Sequence, residues 1–192
     1  MTDQAVHTDD APPTTWKKGD ARAEASIPGE KGSSIVARAV TINRPVGEVF
    51  AYFRDFANLP TFMENVERID ILDGKRSHWV VKAPAGKTVE WDAVVTEEAK
   101  DSVIAWASEP GAVVANSGRV EFRDAGARGT VVTATIAYDP PAGIVGKLIA
   151  KMFQREPAIQ ARRDLRRFKQ LMETGEIATA AMNRKQHEEE LA

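Results

Sequence analysis

The stretch from Ile144 to Glu173, IVGKLIAKMFQREPAIQARRDLRRFKQLME, decides how the rest of the chain can fold. It follows the breaker Asp139-Pro140-Pro141-Ala142-Gly143 and runs up to Gly175, a residue suited to the left-handed turn after a helix. Between those marks Leu148, Met152, Ile159, Leu165, Phe168 and Met172 recur largely at helical spacing, as one apolar stripe. The opposite face carries Lys147, Lys151, Arg155, Arg162, Arg163, Arg166, Arg167 and Lys169. Pro157 interrupts the pattern and predicts a kink, or a restart with Pro157 in the first turn, that shapes one mouth of any cavity beneath. A helix this long needs a large apolar partner surface. The upstream strands are that partner.

Working outward, Ser34 to Asn43 alternates Ile35, Ala37 and Ala39 against Val36, Val40 and Ile42, a first strand. Pro45 then opens a short helix whose Val46, Val49, Phe50 and Phe53 share a stripe. A second helical piece, Leu59 to Met63, is predicted to begin after Asn58 with Pro60 in its first turn. Six strand-like runs follow. Asp73-Gly74 signals a tight hairpin between Ile71-Leu72 and Arg76. Pro84-Ala85-Gly86-Lys87 joins His78–Ala83 to Thr88–Val95, and Glu109-Pro110-Gly111 joins Val103–Ser108 to Val113–Phe122. Gly126 to Gly129 leads into Thr130–Tyr138. The order predicts an α+β domain in which a curved antiparallel sheet of about seven strands wraps the last helix.

The domain should span residues 34–175. Residues 1–33 are polar with no sustained period and read as a disordered leader, Trp16 being their odd member; residues 176–192 read as a polar tail. A formal charge of -2 points away from nucleic acid as a partner. With no Cys, disulfides, thiolate nucleophiles and Cys-ligated zinc are excluded together. No apolar run approaches the ~20 residues of a membrane span, and no signal-peptide core is present, so the cytoplasm is the expected compartment.

Alternation assigns the faces. Trp79, Val81 and Ala83 point inward on one strand, leaving His78 and Lys82 outside; Val89, Trp91, Ala93 and Val95 point inward on the next, sending Glu90 and Asp92 outward. Ile104 and Trp106 share a face, though Val103, Ala105 and Ala107 make the facing of that strand ambiguous; Val114, Asn116, Gly118, Val120 and Phe122 share another, and finally Val132, Ala134, Ile136 and Tyr138. Large aromatics beside small residues suit a cavity closed by the helix and suit a filled core equally well. Asn116 needs a backbone partner, a water or a ligand, because an unpaired buried amide costs roughly 1–3 kcal/mol.

Five motifs carry a resemblance. Arg44-Pro45-Val46-Gly47-Glu48-Val49-Phe50, Asn58-Leu59-Pro60-Thr61-Phe62-Met63, His78-Trp79-Val80-Val81-Lys82-Ala83-Pro84, Val89-Glu90-Trp91-Asp92-Ala93 and Asp164-Leu165-Arg166-Arg167-Phe168-Lys169 resemble the START/Bet v 1-like (SRPBCC) superfamily. The similarity is nearest to its cyclase/dehydrase and coenzyme Q-binding START-like members. It covers Ser34 to Gly175 and implies a helix-grip fold, with functions ranging from polyketide cyclases to lipid and quinone carriers.

The chemistry available is sparse. His7 and His187 lie in the tails and His78 faces outward, so no hydrolase triad assembles; no zinc ligand set and no phosphate loop is present. Glu90 and Asp92 read as a solvated strand face rather than an acid/base pair. No catalytic residue, metal or cofactor is expected. The expected function is binding of a small hydrophobic ligand in a cavity lined by Trp79, Val81, Trp91, Ala93, Trp106, Asn116, Gly118, Phe122, Tyr138 and Met152, with Asn116 and Tyr138 orienting its head. A cyclase/dehydrase-type enzyme is the alternative, and an interaction module with a filled core a second. Arg155, Arg162, Arg163, Arg166 and Arg167 read as a solvated helix face, or as a contact with an anionic membrane surface.

Overall fold

A computed structural model describes residues 34–83, 86–139 and 157–178. The alternating runs become β1 (Ser34–Ile42), β2 (Val66–Ile71), β3 (Arg76–Ala83), β4 (Lys87–Ala99), β5 (Val103–Ser108), β6 (Ala115–Asp124) and β7 (Thr130–Asp139). All pair antiparallel in the order β1-β7-β6-β5-β4-β3-β2, so the first strand closes one edge against the last. Register shifts at Val66/Arg68 and Val95/Glu97 bend the sheet, as an extra unpaired residue does. The second shift lets β4 run on to Ala99, four residues past the predicted strand end at Val95. The result is a curled sheet gripping a helix, the predicted α+β helix-grip architecture.

The last helix runs from Pro157 to Thr174. Pro157 is its first described residue; residues 144–156, with Leu148, Met152 and Arg155, lie outside the described residues, and the expected kink or restart at Pro157 falls at that boundary. Ala161, Leu165, Phe168 and Met172 are buried on its inner stripe. Gly175 takes a φ of 81° and returns its N–H to the Leu171 carbonyl at 2.8 Å, closing the helix end. Three bonds then fasten that end to β1 and the turn after it. Asn43 N–H donates to Glu173 Oε1 (2.7 Å), Arg44 to the Glu173 carbonyl (2.8 Å), and Lys169 Nζ to the Thr41 carbonyl (2.7 Å).

Two local expectations need correction. The second helical piece is a 3-10 helix over Phe56–Thr61, starting three residues before Leu59. Its cap is Asp55, whose carboxylate accepts the Ala57 N–H at 3.2 Å, while Asn58 instead donates its side chain to the Tyr52 carbonyl. The β2–β3 hairpin closes through the Asp73 carboxylate, which accepts the N–H groups of Lys75 and Arg76 at 2.8 Å each. Gly74 is not left-handed, so the turn is built by an Asx contact and not by the glycine.

Candidate functional site

The concave face is built on three tryptophans. Trp79 and Trp91 face each other across β3 and β4, ring centroids 6.2 Å apart and planes 12° from parallel; Trp79 also stacks on Trp106 at 5.9 Å and 14°. Trp106 can lie flat because its neighbour on β6 is Gly118. A Cβ there would sit 2.1 Å from Trp106 Cζ2, closer than any real contact. Edge-on rings extend the slab. Phe56 meets Trp79 (5.8 Å) and Trp106 (5.7 Å), Phe53 meets Phe122 (5.8 Å), and Phe62 stacks on Phe168 of the last helix at 4.5 Å. The first helix (Val46–Arg54) contributes its buried Phe50 and Phe53 to this packing.

A second, more polar line crosses the same face. Ser77 pairs with Ala93 and Ala93 with Ser108; the Ser108 hydroxyl accepts the Asn116 backbone N–H at 3.0 Å; Asn116 pairs with Tyr138, and Tyr138 with Ser34. Ser77 and Ala93 are buried, whereas Ser108 and Asn116 are half-buried, so the line opens outward toward β6. Ser77 accepts the Trp79 indole N–H at 2.9 Å. Trp91 has no such partner: its Nε1 is buried without a hydrogen bond, a situation that costs roughly 1–3 kcal/mol.

Of the expected lining residues, Trp79, Val81, Trp91, Ala93, Trp106, Gly118 and Phe122 are buried on this face. Asn116 is half-buried, and its side-chain amide bonds no described residue. The backbone register puts Tyr138 opposite Asn116, though its side chain lies outside the described residues, as does all of Met152.

The arginine stripe divides. Arg162, Arg163 and Arg166 are exposed, Arg163 pairing with Glu64 (3.3 Å), while the half-buried Arg167 donates Nε to the Phe62 carbonyl (3.0 Å). Asp164, which stands between these arginines in the sequence, is buried. Its carboxylate accepts from Gln160 (2.9 Å) and from the Glu64 N–H (3.3 Å). Burial pushes its pKa up to about 6, against the opposing pull of those bonds and of Arg167. The signal was its spacing: Asp164 stands three residues after Ala161 and four before Phe168, on the inner stripe. On the convex face His78 Nδ1 lies 2.7 Å from Asp92 and Nε2 lies 3.5 Å from Glu90, outside as alternation predicts. Among the described residues no three His, Cys, Asp or Glu side chains are grouped to hold a metal, and no helix is long and apolar enough to cross a membrane.

Residues 34–173 match the model of the family described as polyketide cyclase/dehydrase and lipid transport. The chain belongs to that family. Its fold and motifs accordingly place it in the START/Bet v 1-like superfamily. A structure of DR_A0006 from Deinococcus radiodurans is similar at 42% identity and a TM-score of 0.61, covering 74% of this chain and 100% of that one. The Zhui aromatase/cyclase of Streptomyces sp. R1128 shares the fold, with 16% identity and a TM-score of 0.59 over 76% and 99% of the two chains. An uncharacterized 17.2 kDa protein of Streptomyces lincolnensis is 29% identical over 141 residues, 73% of this chain and 90% of that protein.

Proposed function

We propose that this family member binds a small hydrophobic ligand, such as a lipid, a quinone or a polyketide-like molecule, between the concave face and the last helix. The observation that carries this reading is the composition of the wall. Stacked indoles and small residues border a line of hydroxyl and amide groups whose exposure rises toward Asn116. Apolar walls with a few fixed polar anchors are what such ligands require. Among the described residues, mid-strand positions on this face hold no His, Asp, Glu or Lys to move protons, which favours binding over acid–base catalysis. The cyclase/dehydrase alternative draws on the family description and on the shared fold of an aromatase/cyclase. A transient contact with an anionic membrane would rest on Arg162, Arg163 and Arg166, the exposed part of the stripe.

Mass spectrometry of organic extracts from the purified protein, paired with tryptophan fluorescence titrations against ubiquinone analogues, fatty acids and flat polyketide mimics, tests the reading. A co-purifying amphiphile, or saturable quenching by one class, is expected, and Asn116→Leu should weaken that class several-fold without unfolding the domain. A filled interior that extracts empty and responds to none of the probes would overturn it. Turnover of a poly-β-keto substrate would move the enzyme reading ahead.

A further inference from the structure

The alternation that turns Val40 and Ile42 inward on β1 turns Arg38 inward as well. Arg38 sits at the centre of the strand, opposite Ala134 of β7, itself a core residue. The other charged residues that fall on the concave face of the sheet, Lys87, Glu98 and Asp124, lie at or within one residue of strand ends. Arg38 alone among the described residues occupies a mid-strand position there.

Its partners are few for a guanidinium. Arg38 is half-buried, and its one recorded bond goes from Nη1 to the Ala37 carbonyl at 2.7 Å, on the free edge of the sheet. Five N–H donors are available on the group, so four are uncommitted among the described residues. The contrast with other arginines is clear. Arg44, Arg54, Arg68, Arg76, Arg119 and Arg163 each pair with a carboxylate; Arg38 pairs with none. A cation drawn partly out of water beside an apolar wall is stabilised by an anion, and the planar fork fits a carboxylate with two parallel bonds.

The location suits a head group. The last helix lies along β1, and its Lys169 bonds the Thr41 carbonyl. Arg38 is three residues further down the strand, about 10 Å, or roughly two helical turns below that contact. A ligand between sheet and helix would meet the guanidinium at their seam, while its body lay against the small residue Ala134 opposite it.

We infer that Arg38 is the head-group contact for an amphiphile with an apolar body and a carboxylate, a fatty acid being the simplest case. This deepens the ligand-binding reading and rests on it. The test compares dodecanoate with its methyl ester at pH 7.5, below micelle formation, by tryptophan fluorescence and calorimetry. On the unaltered chain the acid should bind at least tenfold more tightly than the ester. Arg38→Gln should bring that ratio close to one by weakening the acid alone, and Arg38→Lys should keep part of the preference. Equal binding of acid and ester, or a preference that survives Arg38→Gln, overturns the assignment while leaving the cavity reading in place. Binding of neither probe overturns this assignment together with the reading beneath it. Because the acid–ester comparison needs no substitution, it holds even if a variant fails to fold.

Discussion

Two stretches of the concave face differ in what they are made of. Under the first helix, Phe53, Phe56, Phe62, Trp106, Phe122 and Phe168 are all buried and interlock ring against ring. Along the line from Ser77 to Asn116 the side chains are small or polar, and exposure rises toward β6. Apart from the Trp106 indole N–H the side chains of the aromatic stretch are apolar, and their interlocking holds the sheet on the helix. Beside the polar line, the Trp91 indole N–H is a donor that the fold leaves without a partner. Stability and recognition are thus separated on one surface, and substitutions on the two sides should fail in different ways.

The largest effect is expected on the aromatic side, from Gly118→Ala. The new Cβ would lie 2.1–2.5 Å from three Trp106 ring atoms, and that ring cannot swing away without displacing Trp79, Phe53 and Phe56. Overpacking of this kind costs typically 1–3 kcal/mol and occasionally more. A melting temperature lower by several degrees, with altered tryptophan fluorescence, is the expected outcome. An unchanged melting temperature would mean the aromatic stretch has slack, and the two surfaces would no longer differ in packing.

The last helix repeats the division with two carboxylates. Glu173 is partly desolvated, but the Asn43 N–H and Lys169 outweigh that and hold its pKa below the usual range. Asp164, deeper in, is dominated by desolvation and pushed up to about 6 from an ordinary 3.8. A raised acid pKa means the folded state holds the proton more tightly. Its stabilising contribution is therefore present below about 3.8 and is lost as pH rises through about 6. Asp164→Asn removes that slope. The variant should be more stable than the parent at pH 7.5 by on the order of 1–3 kcal/mol, with the gap closing by pH 4. Melting curves of both proteins from pH 8 to pH 4 decide it; a gap that does not vary with pH would show that burial does not govern this carboxylate.

Most of this architecture was legible in the sequence because apolar periodicity fixes which face of a strand or helix is buried. The order of the strands, the inward Trp79 and Trp91 and the Leu165, Phe168, Met172 stripe followed from spacing and turn residues; β2 was marked only at its Ile71 end by the turn after it, and Trp106 stood on a strand whose alternation is ambiguous. What was missed carries charge. Arg38 and Asp164 stand in phase with buried neighbours, yet a charged side chain reads as solvent-facing unless its phase is allowed to outrank its type. Capping was misread for a related reason: Asp55 and Asn58 are both good caps, and only the folded chain reveals that Asn58 is needed by the Tyr52 carbonyl. The orphan at Trp91 left no mark in the sequence, since it depends on where one ring nitrogen ends up.

That orphan supplies the finest test, because Trp79 and Trp91 are nearly parallel neighbours that differ in one hydrogen bond. Trp79 donates to Ser77 at 2.9 Å; Trp91 donates to nothing. Ser77→Ala would turn Trp79 into a second orphan, at a cost of about 1–3 kcal/mol. Trp91→Phe removes an unpaired donor instead, and the relief offsets part of the ring area lost. The phenylalanine variant should therefore be the milder of the two, within about 1 kcal/mol of the parent in denaturant midpoint, even though it deletes more atoms. Ligand binding should reverse the ranking. A ligand with a carbonyl oxygen can accept from Trp91, so Trp91→Phe should weaken it several-fold, while Ser77→Ala leaves it close to the parent. If Trp91→Phe proves the more destabilising and ligand affinity ignores it, the indole nitrogen has a bound water for a partner and the aromatic wall is structure alone.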